Sequence, residues 1–214
     1  MPELPEVETV RRGIAPTLVG KTLLGARVRQ PSLRWPVPAD LDARLKGRQV
    51  HALERRGKYL LARLDQGTLI LHLGMSGSLR LVPPECAPEK HDHVDIIAEG
   101  ERILRYRYPR RFGAILLSDA PEQHPLIADL GLEPLAAEFD GDWLFALTRG
   151  RSGPIKPLLM NASLLVGVGN IYANESLFRA GIHPETPAGR LSRARCARLV
   201  VSIRSTLEQA ILAG

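Results

Sequence analysis

The stretch 58-KYLLARLDQGTLILHLGMSGSLRLV-82 contains three apolar-rich runs, each of strand length. Asp65–Gly67 separates the first two runs, and a turn containing glycine and serine at 74–77 separates the second from the third. Short apolar runs bounded by such turn residues predict consecutive β-strands. This stretch therefore predicts three strands and places a β-rich region near the middle of the chain.

Residues on both sides extend the β-rich region. Upstream, 23-LLGARVRQ-30 places Leu24, Ala26 and Val28 in alternation with arginines. Downstream, 93-HVDIIAEGERILRYRY-108 predicts a hairpin that turns at Glu99 and Gly100, and 112-FGAILLSD-119 predicts one more strand. Short strands joined by tight turns favour an antiparallel sandwich or barrel.

Helical patterns lie at the two ends of the chain. In 1-MPELPEVETV-10, proline and glutamate suit a helix start, and an apolar stripe continues to Leu18 before Gly20. After about residue 125, 141-GDWLFALTRG-150 and 155-IKPLLMNASLL-165 suggest helices, and so does 170-NIYANESLFRAG-181. Ser192 suits the N-cap of a last helix whose apolar face comprises Cys196, Leu199, Val200, Ile203, Leu207 and Ile211.

The composition favours a soluble protein with a polyanionic partner. The chain has 214 residues, a net charge of +6 and a pI of about 9.7, and all but five of its 29 basic residues are arginine. Guanidinium groups bind phosphates and planar groups well. There is no signal-peptide pattern, and no apolar run approaches the roughly 18 residues of a membrane span. We therefore expect a cytoplasmic location.

Two stretches could bind a nucleic acid. In 166-VGVGNIYANE-175, a glycine-rich turn opens a helix, so it predicts either a tight turn between helices or an anion site. The nearby basic residues Arg149, Arg151 and Lys156 favour a phosphate as that anion. The second stretch, 108-YPRRFG-113, predicts either a solvated hairpin tip or a loop that inserts into a duplex.

Three further features allow more than one interpretation. Met75 lies in a glycine- and serine-containing turn, although a methionine is usually a core residue. Lys58 stands where a basic loop enters a strand, which is also an ordinary surface position. The alternating 90-KHDHVD-95 offers His91 and His93 without an obvious third metal ligand, so we expect no metal there.

Taken together, these stretches resemble the formamidopyrimidine-DNA glycosylase (MutM) family over essentially the whole chain. The resemblance depends on MPELPEVETVRRG, RRGKYLL, LHLGMSGSL, PEKHDHVD, PRRFG and VGVGNIYANESLFRAGIHP, in that order. The related endonuclease VIII branch usually starts MPEGPE. Leu4, Met75, Arg110 and Phe112 therefore favour the branch that acts on oxidised purines.

The resemblance implies an α+β fold with two domains and DNA in the cleft between them. An N-terminal antiparallel β-sandwich with a long first helix would occupy residues 1–132 and a linker residues 133–153. A helix–two-turns–helix DNA-binding domain would occupy residues 154–214. The implied activity is excision of oxidised purines (8-oxoguanine and formamidopyrimidines) from duplex DNA, together with AP lyase activity.

The resemblance also implies the catalytic residues. Met1 would be removed, so that Pro2 becomes an amino-terminal nucleophile and forms a Schiff base. Amino-terminal amines titrate near ~8, well below lysine, so more of the amine is neutral and reactive at physiological pH. Glu3 would act as the acid/base, Glu6 as a supporting carboxylate, and Lys58 as a proton donor and phosphate contact.

Further residues match DNA-binding positions of the family. When the lesion is flipped out, Met75, Arg110 and Phe112 would fill the gap, and Glu175 would belong to the lesion pocket. The implied DNA-binding residues are His72, His91, Arg110, Arg151, Lys156 and Asn170. The expected partner is double-stranded DNA with oxidised bases or abasic sites, bound by a monomer in the bacterial cytoplasm, with the nucleoid.

The sequence departs from the family in three places. Full-length members carry one structural zinc ion in a C-terminal four-cysteine finger, whereas this sequence ends at Gly214 and has only Cys86 and Cys196. We therefore expect no metal or cofactor in this chain, weak DNA binding and impaired cleavage. Tyr108 and Asn161 stand where the family commonly has aspartate.

Two alternative functions remain open from the sequence. The chain could be a truncated DNA-binding remnant without catalytic activity, or an endonuclease VIII-like glycosylase for oxidised pyrimidines. Retention of Pro2, Glu3 and Lys58 favours an enzyme over a remnant.

Overall fold

A computed structural model describes residues 2–214 and divides them into two compact units. The first unit contains Pro2 and residues 7–128, and the second contains residues 3–6 and 129–214. The removal of Met1 implied by the family resemblance concerns a residue outside the described range.

The first unit contains two antiparallel four-stranded sheets. The strands in chain order are β1 (Leu23–Val28), β2 (Val50–Arg56), β3 (Tyr59–Leu64), β4 (Thr68–His72), β5 (Ser78–Val82), β6 (Asp92–Ala98), β7 (Ile103–Arg107) and β8 (Ala114–Ser118). One sheet has the order β1-β6-β7-β5 and the other the order β2-β3-β4-β8. The strands predicted on both sides of Asp65–Gly67 and of Glu99–Gly100 are confirmed.

A single hydrophobic core joins the two sheets. It takes Leu60 and Ala62 from β3 and Val94 and Ile96 from β6, which belong to different sheets. These residues alternate along their strands, so each sheet gives one face to the core. The helices α1 (Leu4–Leu18) and α2 (Leu41–Leu45) contribute to the same core. This arrangement confirms the predicted sandwich.

The predicted register of β1 is wrong at its start. Leu24 was expected to share a face with Ala26, but Leu24 is exposed and Leu23 is fully buried instead. The register shifts between Leu23 and Gly25, which is a β-bulge, and Gly25 has φ +136°. The Asp42 carboxylate accepts the Ala26 N–H at 2.8 Å, and a Cβ on Gly25 would lie 2.3 Å from the same carboxylate oxygen. The bulge therefore needs glycine.

Strand β2 was not predicted from the sequence. Its residues Val50 and Leu53 are buried, three positions apart rather than two. The register against β3 shifts between Val50 and Ala52, so a second bulge breaks the period of two in the sequence.

The second unit is helical and contains α3 (Gly141–Thr148), α4 (Ile155–Leu159), α5 (Asn170–Arg179) and α6 (Arg193–Ala213). Ser192 caps α6 by accepting the Arg195 N–H at 3.3 Å, and the predicted apolar face of α6 is buried. Helix α4 is shorter than the predicted 155–165 segment, whose second half forms a turn. Residues 133–153, assigned to a linker from the sequence, include α3 and the fully buried Phe139.

No helix among residues 2–214 is long and apolar enough to cross a membrane.

Gly25→Ala should lower the free energy of unfolding by about 2–4 kcal/mol, because the new Cβ adds backbone strain and displaces the Asp42 carboxylate. Gly13 is the matched control, since it lies in α1 and a Cβ added there would meet no atom within 4 Å. Gly13→Ala should raise the free energy of unfolding by up to ~1 kcal/mol. Urea unfolding measures both values, and equal effects of the two substitutions would contradict the role given to the bulge.

Candidate amino-terminal site and nucleic-acid-binding loops

The start of the chain pairs with the turn that precedes α5. The Leu4 N–H donates to the Gly167 carbonyl at 3.0 Å. Gly167 has φ +79°, and a Cβ there would lie 2.7 Å from the Leu4 Cβ. Leu4 itself is buried in the core of the helical unit. Glycine at 167 thus permits a close backbone approach that another residue would block.

The Glu3 carboxylate occupies the N-terminus of α5. Its Oε2 accepts the Gly169 N–H at 2.6 Å and the Tyr172 N–H at 3.4 Å, and its Oε1 accepts the Ile171 N–H at 2.9 Å. The first N–H groups of a helix lack intrahelical partners and carry partial positive charge, so they stabilise an anion. The glycine-rich turn is therefore an anion site. The prediction that a phosphate binds these three amides is wrong, because the Glu3 carboxylate accepts all three of their hydrogen bonds.

Glu6 connects the chain start to α5 through two hydrogen bonds. Its Oε2 accepts the Glu3 N–H at 2.8 Å, and its Oε1 accepts the Tyr172 hydroxyl at 2.6 Å. The first bond is half of a capping box, in which the third helical residue satisfies the N-cap amide. Burial and the Glu6 carboxylate raise the pKa of Tyr172, so its hydroxyl stays protonated and donates. Sequence reasoning missed Tyr172, because its partner lies 166 positions away.

Glu8, the third glutamate of the acidic start, has a structural role. Its carboxylate is buried and contacts Arg11 at 2.7 Å, Arg12 at 2.9 Å and Arg55 at 3.3 Å. Burial alone would raise its pKa, but these guanidinium groups outweigh burial and hold the pKa at about 2. The acidic cluster therefore comprises two carboxylates that order the chain start and one that forms an ion cluster.

In the sandwich, Lys58 and His72 lie next to Tyr59. Lys58 lies in the two-residue turn between β2 and β3, and His72 ends β4 with its ring 4.6 Å from the Tyr59 ring. Burial, together with the charges of Lys58 and Arg34, lowers the pKa of His72 to about 4. The imidazole is thus neutral at physiological pH. Its Nδ1 accepts the Gly74 N–H at 3.1 Å, which leaves the proton on Nε2 as a donor.

A pocket of about 210 Å³ opens beside His72. Aromatic rings and one guanidinium form most of its wall, and its lining residues are Arg34, Trp35, Tyr59, His72, Phe112, Ala114 and Leu126. Aromatic faces and a guanidinium suit stacking with bases and contact with phosphates.

The three predicted void-filling residues are all solvent-exposed. Met75 is 43% exposed and Phe112 is 48% exposed, which excludes a core role for both. The Arg110 Nε donates to the Ser76 hydroxyl at 3.2 Å, so the structure brings the loop of Met75 and the loop of Arg110 together. The nearby Arg111 has φ +56°, a strained value for a residue other than glycine.

His91 and the residues around it do not form a metal site. His91 has φ +78°, and its carbonyl accepts the Tyr108 N–H at 2.9 Å. The His93 Nε2 bonds to the Tyr108 carbonyl at 2.7 Å, and Asp95 is paired with Arg105 at 2.8 Å. Within residues 2–214, no three His, Cys, Asp or Glu side chains gather in a group that could hold a metal. The residues present therefore do not fit a structural zinc ion.

The predicted DNA-binding residues of the helical unit are at its surface. Arg151 borders an open pocket of about 450 Å³ together with Asn161, and its Nε donates to the Leu147 carbonyl at 2.8 Å. Lys156 is half-buried on α4, and Asn170 and Glu175 are exposed on α5. The Asn161 Oδ1 accepts the Ser163 N–H at 3.0 Å, so this departure from the family pattern stabilises the turn after α4.

We assign the chain to the class of helix–two-turns–helix DNA glycosylases. The assignment rests on the β-sandwich, the helical unit whose glycine-rich turn holds a carboxylate, and the exposed basic and aromatic loops. Two family models confirm this assignment. The formamidopyrimidine-DNA glycosylase N-terminal domain matches residues 1–115, and the H2TH domain of the same enzyme matches residues 130–214. The chain belongs to the formamidopyrimidine-DNA glycosylase family.

Similar proteins support the same family. The formamidopyrimidine-DNA glycosylase of Stutzerimonas stutzeri is 58% identical over 100% of this chain and 79% of its own length. The enzyme of Methylococcus capsulatus is 55% identical over the same shares. The solved Lactococcus lactis Fpg in complex with THF-DNA and an inhibitor superposes with a TM-score of 0.91 at 35% identity, over 100% of this chain and 80% of that one. The L. lactis enzyme bound non-covalently to DNA with an AP site superposes with a TM-score of 0.90 at 34% identity, over 98% of this chain and 82% of that one.

The low pKa of His72 predicts a loss of stability in acid. The unfolded chain titrates His72 near 6.5 and the folded chain near 4, so the unfolded chain takes up the extra proton between these values. The stabilisation is complete above pH ~6.5 and is lost as the pH falls towards ~4. Lowering the pH from neutral to about 4.5 should therefore reduce the free energy of unfolding of the unsubstituted protein on the order of 1–2 kcal/mol more than that of His72→Gln. Urea unfolding at both pH values measures this difference. An equal loss in both proteins would contradict the assignment.

Proposed function

We propose that this protein excises oxidised purines from duplex DNA and cleaves the resulting abasic strand through a Schiff base on Pro2. The observation that carries the proposal is the fixed geometry of the chain start. The Glu3 carboxylate is held by three amides of α5, and the Glu3 amide is held by Glu6. These bonds fix the peptide group that joins Glu3 to Pro2, the residue that we propose as the nucleophile.

The proposed chemistry needs no metal. After removal of Met1, the secondary amine of Pro2 attacks the sugar C1′, and the bond between C1′ and the damaged base breaks, with the base leaving as the protonated product. The ring oxygen accepts a proton as the sugar opens, and Glu3 is the proposed donor and acceptor for these transfers. The resulting iminium withdraws electrons from C2′, so loss of a C2′ proton expels the 3′ phosphate.

The remaining predicted residues receive roles in DNA binding. We assign DNA contacts to Lys58, His72, His91, Arg110, Arg151, Lys156 and Asn170. Lys58 contacts a phosphate, and His72, Lys156 and Asn170 contact phosphates or the lesion. The neutral His72 imidazole offers its Nε2–H to such a phosphate without carrying charge. Met75, Arg110 and Phe112 fill the gap left by the flipped lesion, which their exposure supports. Glu175 lines the lesion pocket. The enzyme acts as a monomer.

The preference for purines is supported by residues that distinguish the two branches of the family. Leu4 is buried against Gly167, and Met75 and Phe112 are exposed as void-filling residues must be. An endonuclease VIII-like enzyme for oxidised pyrimidines remains the alternative, and a non-catalytic DNA-binding remnant is the second alternative.

Borohydride trapping tests the proposal against both alternatives. Duplexes with 8-oxoguanine, an oxidised pyrimidine or an abasic site are incubated with the protein and borohydride, and covalent adducts are separated on a denaturing gel. We expect an adduct with 8-oxoguanine and with the abasic site, and no adduct with any duplex once one residue precedes Pro2. A protein extended by one residue at its C-terminus is the matched control and should behave like the original.

Each other outcome selects an alternative. Adducts that form mainly with the oxidised pyrimidine would favour the endonuclease VIII-like function. Specific DNA binding with no adduct on any duplex would favour the remnant, and an adduct that survives the extension before Pro2 would exclude Pro2 as the nucleophile.

DNA binding should weaken steeply with salt, because each phosphate contact releases a counterion. Lys156→Ala should reduce the slope of log Kd against log salt by about 1, the change expected for the loss of one phosphate contact. It should also weaken binding to all sequences alike. Lys21, an exposed lysine outside the proposed site, is the control, and Lys21→Ala should leave the slope unchanged. Fluorescence anisotropy at several salt concentrations gives the slopes, and an unchanged slope for Lys156→Ala would remove this residue from the interface.

A further inference from the structure

The two loops that carry the void-filling residues lie side by side for a topological reason. The Met75 loop (residues 73–77) runs from β4 in one sheet to β5 in the other. The Arg110 loop (residues 108–113) runs back from β7 to β8. Because β4 pairs with β8 and β5 pairs with β7, both loops cross between the sheets at the same end of the sandwich.

Tyr108 of the Arg110 loop lies under the Met75 loop. Its side chain is fully buried, and its hydroxyl accepts the Met75 N–H at 2.8 Å. A Cβ on Gly74 would lie 2.5 Å from the Tyr108 hydroxyl oxygen, and a Cβ on Gly77 would lie 2.8 Å from the Tyr108 ring. The two glycines of the GMSG turn thus let the loop close around this ring, with Met75 at its exposed outer side.

The backbone of Tyr108 is itself fixed by residues at the start of the neighbouring strand β6. Its N–H donates to the His91 carbonyl at 2.9 Å, and its carbonyl bonds to the His93 Nε2 at 2.7 Å. His93 lies in β6, next to β7. Hydrogen bonds to the start of β6 therefore fix the backbone of Tyr108, whose phenol bonds to the Met75 amide.

One more hydrogen bond joins the strands from which the loops leave, and another joins the loops themselves. The Tyr106 hydroxyl donates to the His72 carbonyl at 3.0 Å, and the Arg110 Nε donates to the Ser76 hydroxyl at 3.2 Å. A Cβ on Gly113 would lie 1.7 Å from the Tyr106 hydroxyl oxygen, so the first of these bonds requires glycine there. The bond from Tyr106 thus lies at the base of the loops, the bond to Tyr108 in their middle, and the bond from Arg110 at their exposed edge.

We propose that Tyr108 is a positioning residue that locks the Met75 loop to the Arg110 loop, so that Met75 and Arg110 form one preformed wedge. This inference rests on the proposed function, which assigns these residues to the gap left by the lesion. The wedge enters the duplex without first ordering two independent loops, which lowers the entropic cost of flipping.

Tyr108→Phe tests the proposal, since it removes only the hydroxyl and leaves the Met75 N–H without its acceptor. Exchange of the Met75 amide hydrogen should become about tenfold faster or more, because the loop must open to satisfy that group with water. Single-turnover excision of 8-oxoguanine from a duplex should also slow about tenfold or more. Borohydride trapping on a single-stranded abasic oligonucleotide should change less than about twofold, because a single strand has no gap to fill.

Two further variants separate positioning from a general loss of stability. Ser202→Ala removes a buried hydroxyl that donates to the Ser176 carbonyl at 2.8 Å in the helical unit, and it should change none of the three readouts. Ser76→Ala removes the exposed tie to Arg110 without disturbing the core. It should slow duplex excision about two- to fivefold and leave single-strand trapping unchanged.

Several results would overturn the proposal. Unchanged Met75 exchange in Tyr108→Phe would show that the hydroxyl does not hold the loop. Faster Met75 exchange with unchanged duplex excision would show that the contact between Tyr108 and Met75 is only structural. An equal loss of duplex excision and single-strand trapping would show the same. If the unsubstituted protein forms no adduct on any substrate, the proposed function fails, whereas the exchange measurement still decides whether Tyr108 holds the loop.

Discussion

The contact between the Glu3 carboxylate and the first amides of α5 is the interaction on which the chain start depends. A buried carboxylate needs partners, and the free N–H groups of a helix N-terminus supply them without a counter-charged side chain. The glycines of the VGVG turn allow the approach, since Gly167 faces Leu4 at a distance that excludes a Cβ. The family sequence at residues 2–6 and the sequence at residues 166–172 are thus two halves of one structure.

This contact also explains why a basic protein begins with acidic residues. Each of the three glutamates has different partners: backbone amides for Glu3, an amide and a phenol for Glu6, and arginines for Glu8. Because Glu3 and Glu6 bond to amides and a phenol, these two carboxylates do not compete with DNA phosphates for basic side chains. The positive charge on exposed loops remains available for the polyanion.

Local patterns predicted most of the fold, and long-range contacts account for what they missed. The strands around Asp65–Gly67 and the buried face of α6 follow from periodicity and turn residues, which are properties of neighbouring positions. The β-bulges at Gly25 and Val50 broke the period of two, which misplaced Leu24 and concealed β2. The family motifs indicated Glu3 and Glu6, but no local signal connects Glu6 with Tyr172. The burial of Tyr108 under the GMSG turn likewise needs the pairing of strands that are distant in sequence.

The pairing of residues 3–6 with residues 167–172 has a consequence for synthesis on the ribosome. Residues 3–6 leave the ribosome well before their partners are made, because Glu3 and Glu6 bond to residues 166 positions further along the chain. At about 5–20 residues per second, the first residues wait for many seconds before α5 exists to hold them. The contacts of Glu3 and Leu4 therefore form late, when the helical unit folds around Leu4.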